Sequence, residues 1–498
     1  MSTSHALTPC DSLDVDVDRV LKDPTAAFSD VLHVVPGWDE ECAQHVKVQQ
    51  ISGAMSNLVF RCHGASALEN KVVIVRVFGR GGKLFSHQHE RNIFFRASEL
   101  GLGPKCLVEF PSARVEEFLP GANLTAVSMR EPATAAAIAR AMAAFHVEML
   151  AAAAPAAPST PVPRPRQGLP EDLNQQAQHA KYAQQQQESG ALGPGAGAAI
   201  WGRIRKWHAV AVDLAAPEVE ELGLMNALQE LAKLEACFSS RFPSWLGFCH
   251  NDLQYGNMLL DDPAAEAHQA QQGPAVRLID YEYSTLNDVA FDVANHWVEY
   301  TYDYHSDAPH AINWDRFPTP DQQLAFCEAY VAALRQLLSE PGEGQQAQQQ
   351  HAQQGHVWPA SGSGGNKSSN AAADGKEGPS LAAKGEALGQ EDSAYCNGSS
   401  PERLGAGVAG SSSSTSSSSS RGGTKACPAG VALAEAIVGT EDAVQLLVEK
   451  ALAYATLCHL KWTLWGLIQA KVSDVDFDYV EYSRQRVERY HKAKAAFL

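Results

Sequence analysis

Two stretches near the start, 46–62 and 72–78, are short β-branched-rich runs with a glycine-containing break between them, the pattern of antiparallel strands joined by turns. Over 89–100 the apolar positions recur at helical spacing instead. Gly101-Leu102-Gly103-Pro104 then supplies the glycine and the proline expected past a helix end. Two further strands are predicted near Cys106 and Val115. From Glu131 onward the chain reads as helical, most clearly over 135–149, and strand signals return only at 245–260 and 276–280. A small β-rich lobe therefore precedes a larger α-rich one.

Two segments interrupt this patterning. Residues 152–198 are rich in Ala, Pro, Gln and Gly, and 341–429 run through Gln repeats into a serine tract at 411–420. Both read as disordered insertions, because such compositions bury too little apolar area to offset an ordering cost of roughly 1–2 kcal/mol per backbone residue. The remaining 362 of 498 residues suit two lobes packed around a cleft.

Charge narrows the function. With 39 basic against 57 acidic residues the formal net charge is -18, so no basic surplus exists to neutralise nucleic-acid phosphates or an anionic membrane. A small cationic substrate suits the chain better. The 10 cysteines are scattered without CxxC pairs, which points to a reducing compartment. Residues 1–23 carry no targeting pattern, and no run approaches the roughly 18 apolar residues of a spanning helix. A cytoplasmic protein without stable membrane insertion is expected.

The chemistry concentrates in His250-Asn251-Asp252-Leu253-Gln254-Tyr255-Gly256-Asn257, an H-N-D-x-x-x-x-N segment. Protein kinases use H-R-D-x-x-x-x-N so that the Asp orients the acceptor hydroxyl and the Asn holds magnesium. Those roles fall here to Asp252 and Asn257. Leu278-Ile279-Asp280-Tyr281-Glu282 sets a second carboxylate directly after an apolar run, where a metal-binding aspartate is needed. Singly, each residue also fits a turn or a helix cap; the ordered set favours phosphoryl transfer. Ile51-Ser52-Gly53-Ala54-Met55-Ser56-Asn57, between two strands, could bring Ser52, Ser56 and Asn57 close to phosphate, although a plain hairpin turn explains it equally. Val73-Ile74-Val75-Arg76-Val77 resembles the kinase V-A-I-K strand with Arg76 in the lysine position, and Glu90 on the following helix is its expected ion-pair partner.

With these segments in view, the chain resembles the choline/ethanolamine kinase family of the protein-kinase-like superfamily. The resemblance rests on Leu278-Ile279-Asp280-Tyr281-Glu282-Tyr283-Ser284, on Phe291-Asp292-Val293-Ala294-Asn295-His296, on 102–105 and 114–120, and on His459-Leu460-Lys461-Trp462-Thr463-Leu464-Trp465-Gly466-Leu467-Ile468-Gln469-Ala470. It covers 34–150 and 200–333 and resumes near Leu433. It implies an α+β, protein-kinase-like two-lobed fold: a tail over 1–22, a nucleotide-binding N-lobe of small antiparallel sheet over 23–119, and a mainly α-helical C-lobe over 120–498 for catalysis and amine binding. ATP and Mg2+ are the implied cofactors, and the implied reaction phosphorylates choline or ethanolamine at the start of phosphatidylcholine and phosphatidylethanolamine synthesis.

By the same resemblance Glu117, Phe118 and Leu119 form the hinge beside adenine, Gln254 helps to order the catalytic loop, and His146 belongs to the core or supports the site. Tyr283, Tyr304, Trp462, Trp465, Phe477 and Tyr482 form an aromatic amine box; Glu299 and Asp303 suit long-range partners for the charge, although either equally suits a helix cap or a solvated helix face. Aromatic faces attract a quaternary ammonium at about 0.5–2 kcal/mol per ring, and choline is slightly favoured. Glu117 departs from the family's usual Gln, and Leu286-Asn287-Asp288-Val289 stands where Tyr-Asn-Tyr-Arg is commoner. The competing readings are an aminoglycoside-type or other small-alcohol kinase and a non-catalytic nucleotide-binding scaffold; a homodimer is left open.

Overall fold

Valines at alternate positions of one strand, Val73, Val75 and Val77, are all buried, as the two-residue period of a strand requires when one face packs on a core. In the computed structural model, residues 13–51, 57–65, 70–78, 87–150, 197–261, 274–339, 427–473 and 475–498 are described. The strand belongs to an antiparallel N-lobe sheet of β1 (Lys47–Ile51), β2 (Asn57–Ala65), β3 (Asn70–Phe78), β4 (Cys106–Glu109) and β5 (Ala113–Glu117), in the order β1-β2-β3-β5-β4.

Short helices α1 (Val17–Val20), α2 (Pro24–Ser29) and α3 (Glu40–Gln44) precede the sheet, each started by an aspartate, Asp16, Asp23 or Asp39, whose side chain accepts a first-turn amide. The expected tail over 1–22 is therefore structured from residue 13. Val15 and Val20 are buried in one core with Phe28, Phe60, Val75 and Val115, and Asp14 accepts hydrogen bonds from the Ser112 amide (2.9 Å) and hydroxyl (2.6 Å). Helix α4 (His87–Glu99) follows β3.

The C-lobe is helical: α5 (Pro132–Glu148), α6 (Ala199–Glu221), α7 (Ala227–Arg241), α8 (Val289–Glu299), α9 (Pro320–Ser339), α10 (Pro428–Val438), α11 (Ala443–Val472) and α12 (Tyr479–Lys494). Helix α11 is buried on nearly every side between Leu447 and Ile468 and packs against α6, α8, α9 and α12, the behaviour of a helix that is apolar all round. Gly466 lets α12 lie close, since a Cβ there would stand 2.3 Å from Ser483 Oγ. Two small antiparallel sheets carry the loops that matter: β6 (Gly121–Asn123), β8 (Met258–Asp261) and β9 (Val276–Leu278), and the pair β7 (Leu246–Cys249) with β10 (Thr285–Asp288).

The insertion expected over 152–198 lies outside the described residues up to 196. The one expected over 341–429 extends too far, because Cys427, Pro428 and Ala429 already start α10, with the Cys427 side chain accepting the Gly430 amide. Proline at the first helical position, where no amide bond is lost, explains that start. No described helix is long and apolar enough to cross a membrane. The described cysteines are free thiols.

Phe28 is fully buried and meets Phe60 edge-on at 5.0 Å between ring centroids. Phe28→Ala should lower unfolding free energy by about 3–5 kcal/mol, read by urea denaturation. A loss below about 1 kcal/mol would detach the N-terminal helices from the N-lobe core.

Candidate active site

The segment after β7 turns sharply because Asn251 adopts φ 66°, a left-handed backbone that costs most side chains about 1–3 kcal/mol but that Asn tolerates comparatively well. Its surroundings hold it there. The Asp292 carboxylate, fully buried in the first turn of α8, accepts the His250 amide at 2.7 Å and the Asn251 amide at 2.7 Å. The Asn251 side-chain amide donates to the carbonyls of Cys249 (3.1 Å) and Tyr283 (3.0 Å) and accepts from Asn287 at 2.8 Å. Asp292 is itself steadied by His146, whose Nε2 lies 3.0 Å from Oδ2 while its Nδ1 lies 2.7 Å from the Tyr330 hydroxyl. Burial works to raise the Asp292 pKa, but the hydrogen bond and charge of His146, then His250, hold it below the usual range. His146 is thus a buried support of the loop.

Past the turn, the Asn257 side-chain amide donates to both the carbonyl (2.9 Å) and Oδ2 (3.0 Å) of Asp252. Gln254 closes the loop from within: its Oε1 accepts the Gly256 amide at 2.7 Å and its Nε2 donates to Asn257 Oδ1 at 3.2 Å. The Ile279 amide donates to the Asn257 carbonyl at 3.0 Å, and His250 Nε2 lies 3.0 Å from the Ile279 carbonyl, so the residue before Asp280 is stitched to the loop that carries Asp252 and Asn257. Asp280 is the second left-handed residue here, at φ 69°, and its Oδ1 is buried without a hydrogen-bond partner among the described residues. Burial raises the Asp252 pKa; Lys461 pulls it back, while Glu299 and Asp280 add to the rise.

Arg76 Nη1 lies 3.7 Å from Asp280 Oδ2, but the expected Arg76–Glu90 pairing does not form. Arg76 Nε donates to Glu116 Oε1 at 2.8 Å, Arg114 Nε donates to the same oxygen at 2.7 Å, and Arg114 clasps Glu90 through two bonds of 2.7 and 2.8 Å. Strand register explains the exchange. Arg76 and Arg114 are direct cross-strand partners on β3 and β5, two like charges that need a carboxylate between them, and Glu116 provides it while Arg114 takes Glu90. Burial would raise the Glu116 pKa, yet Arg76 and Arg114 together hold it low. Of the remaining nucleotide-side candidates, Asn57 is buried on β2, Ser52 and Ser56 lie outside the described residues, and Leu119 is half-buried. Glu117 ends β5 by exchanging its amide and carboxylate with Lys105, at 2.8 Å and 3.2 Å.

The aromatic residues gather on α11, α12 and the loops facing them. Trp462 and Trp465 meet edge-on at 5.5 Å, Tyr283 packs on Trp462 at 5.6 Å, Tyr482 on Trp465 at 5.9 Å, and Phe477 on Tyr482 at 5.6 Å. Tyr302 joins Tyr304 to Tyr482, stacking on the former at 5.6 Å and meeting the latter at 5.4 Å. Polar edges are fixed as well: Trp462 Nε1 donates to Asn295 at 2.7 Å and Trp465 Nε1 to the Tyr283 hydroxyl at 3.1 Å. Glu299 receives the Tyr304 hydroxyl at 2.6 Å and Arg486 at 2.8 Å, whereas Asp303 turns to Arg316, 3.5 Å away. Sequence reasoning gave no role to Asp292, Arg114, Glu116 or Arg486, because each also pairs with a residue distant in the chain. At Leu286-Asn287-Asp288-Val289, Asp288 caps α8 and pairs with buried Lys450 at 2.6 Å.

Removing the shared acceptor leaves two buried amides unsatisfied. Asp292→Ala should therefore lower stability by about 3–5 kcal/mol in equilibrium denaturation; a loss below about 1 kcal/mol would show that the loop does not lean on that carboxylate.

The family model for choline/ethanolamine kinase matches residues 48–491. The protein named "Probable choline kinase 1" of Arabidopsis thaliana is 25% identical, with 100% of this chain and 99% of that protein aligned. A human choline/ethanolamine kinase is 26% identical over 92% of this chain and 82% of its own. Among solved structures, a Cryptosporidium parvum choline kinase superposes with a TM-score of 0.55 at 18% identity, covering 95% of this chain and 96% of that one. A Plasmodium vivax ethanolamine kinase gives 0.54 at 14% identity, covering 96% and 91%. These likenesses establish the shared protein-kinase-like fold. Since the family match runs from β1 to α12 and takes in the loop from His250 to Asn257, Asp280 and the aromatic helix, the chain belongs to the choline/ethanolamine kinase family.

Proposed function

We propose that the protein transfers the γ-phosphoryl group of ATP to the hydroxyl of choline or ethanolamine, with choline the preferred acceptor. One observation carries this reading: Asp252 and Asn257 are bonded side chain to side chain, and the Ile279–Asn257 bond draws Asp280 beside them. In it, Asp252 orients the acceptor hydroxyl and takes its proton as the new O–P bond forms. Arg76 meets the nucleotide phosphates, neutralised behind by Glu116. The β5 end, Glu117 to Leu119, lies along adenine.

The donor set suits magnesium, which prefers hard oxygen ligands. The unsatisfied Asp280 Oδ1 and the amide oxygen of Asn257 would hold it. Bound there, the ion would neutralise charge on the β- and γ-phosphates. Tyr283, Tyr304, Trp462, Trp465, Phe477 and Tyr482 supply π-faces for a quaternary ammonium at about 0.5–2 kcal/mol per ring. Glu299 supplies the counter-charge. The rings favour a cation that donates no hydrogen bonds over a primary ammonium.

A coupled ADP-release assay with each amine and Mg-ATP should give turnover with both and the higher kcat/KM with choline; no turnover with either would overturn the assignment. Asp252→Ala should lower kcat by about 10²- to 10⁴-fold while the KM for ATP stays within a few-fold. For Asp280→Ala the expected result is a raised magnesium requirement, and an unchanged magnesium dependence would remove that residue from the metal site.

A further inference from the structure

Lys461 is fully buried on α11, one residue before Trp462. An ammonium taken out of water is costly unless a carboxylate answers it. Among the described residues Lys461 forms no ion pair. Its Nζ donates to the Asn251 carbonyl at 2.7 Å and lies 3.7 Å from the Trp462 ring centroid, with Tyr283 at 5.0 Å and Phe291 at 5.6 Å. Burial and nearby Arg203 both disfavour its charge, and Asp252 favours it.

The accepting carbonyl belongs to the peptide that joins Asn251 to Asp252. The left-handed turn sends it towards α11, away from any strand partner. Asp292 takes the Asn251 amide, and Cys249, Tyr283 and Asn287 take its side chain, so Lys461 completes the set. We propose that Lys461 is a positioning residue: its bond to the Asn251 carbonyl fixes the Asn251–Asp252 peptide, and hence the direction of the Asp252 carboxylate, relative to an amine docked on Trp462 of the same helix. The proposal rests on the reading of Asp252 as the group that meets the acceptor hydroxyl. Lys461 itself touches neither reactant, so its removal misaims the carboxylate while nucleotide binding continues.

The test is steady-state kinetics of the full chain carrying Lys461→Met, Lys461→Arg or Lys461→Gln, with choline and Mg-ATP. Because ångström-scale misplacement of a reacting group can cost two decades in rate, Lys461→Met should lose about 10- to 100-fold in kcat with the KM for ATP within about threefold. Lys461→Arg, which keeps a charged donor, should recover most of that loss. A Lys461→Met protein with wild-type Tm and kcat within about twofold of wild type overturns the proposal, as does an Arg variant as impaired as the Met variant. If the Met variant does not fold, the Arg and Gln variants decide: Gln at least about tenfold slower than Arg supports the charged bond, and equal rates overturn it. Asp252→Ala with normal turnover would instead break the underlying reading, whatever the Lys461 variants do.

Discussion

One buried carboxylate carries the geometry on which the site depends. Asp292 accepts the consecutive amides of His250 and Asn251, and these charge-assisted bonds, made in a dry interior, outweigh the strain of the left-handed Asn251. From that turn follow the heading of Asp252, the return of Asn257 to bond with it, and the docking of Ile279 that delivers Asp280. His146 and Tyr330 extend the grip into α5 and α9, so the acid is held by the interior of the large lobe.

A second constraint lies in the small lobe. Glu90, Arg114, Glu116 and Arg76 alternate in sign and end at Asp280, so that helix α4, strands β5 and β3 and the C-lobe loop are joined by one electrostatic chain. Removing a single member would strand an uncompensated charge, which is why such a network specifies one arrangement of its strands more strongly than it stabilises them.

How much of this could be read in advance depended on how local each interaction is. The spacing within His250 to Asn257 is short, so Asp252 and Asn257 could be grouped from the chain alone, whereas Gln254 joined them only through the family resemblance, and the β-branched runs marked the N-lobe sheet. The Arg114–Glu90 pairing could not be read, because it depends on the β3–β5 register that sets Arg114 opposite Arg76. Asp292 lies 42 residues from His250, inside a helix where an aspartate ordinarily faces water, and only the tertiary fold turns it inward. The N-terminal segment was misjudged for a related reason: Val15 and Val20 lie in a short, strongly charged stretch with no clear period, and their burial depends on the sheet behind them.

Helix α11 bears Lys450, set against Asp288, and Lys461, set against Asn251, eleven residues or about three turns apart, with Trp462 and Trp465 immediately beyond. All four side chains are therefore locked to one rotational phase of one rod. A residue gained or lost between Lys450 and Lys461 would swing the far end by about 100°, carrying the aromatic wall and the loop anchor away together. A substitution along this rod disturbs the contacts of one side chain, whereas a change in its length disturbs them all.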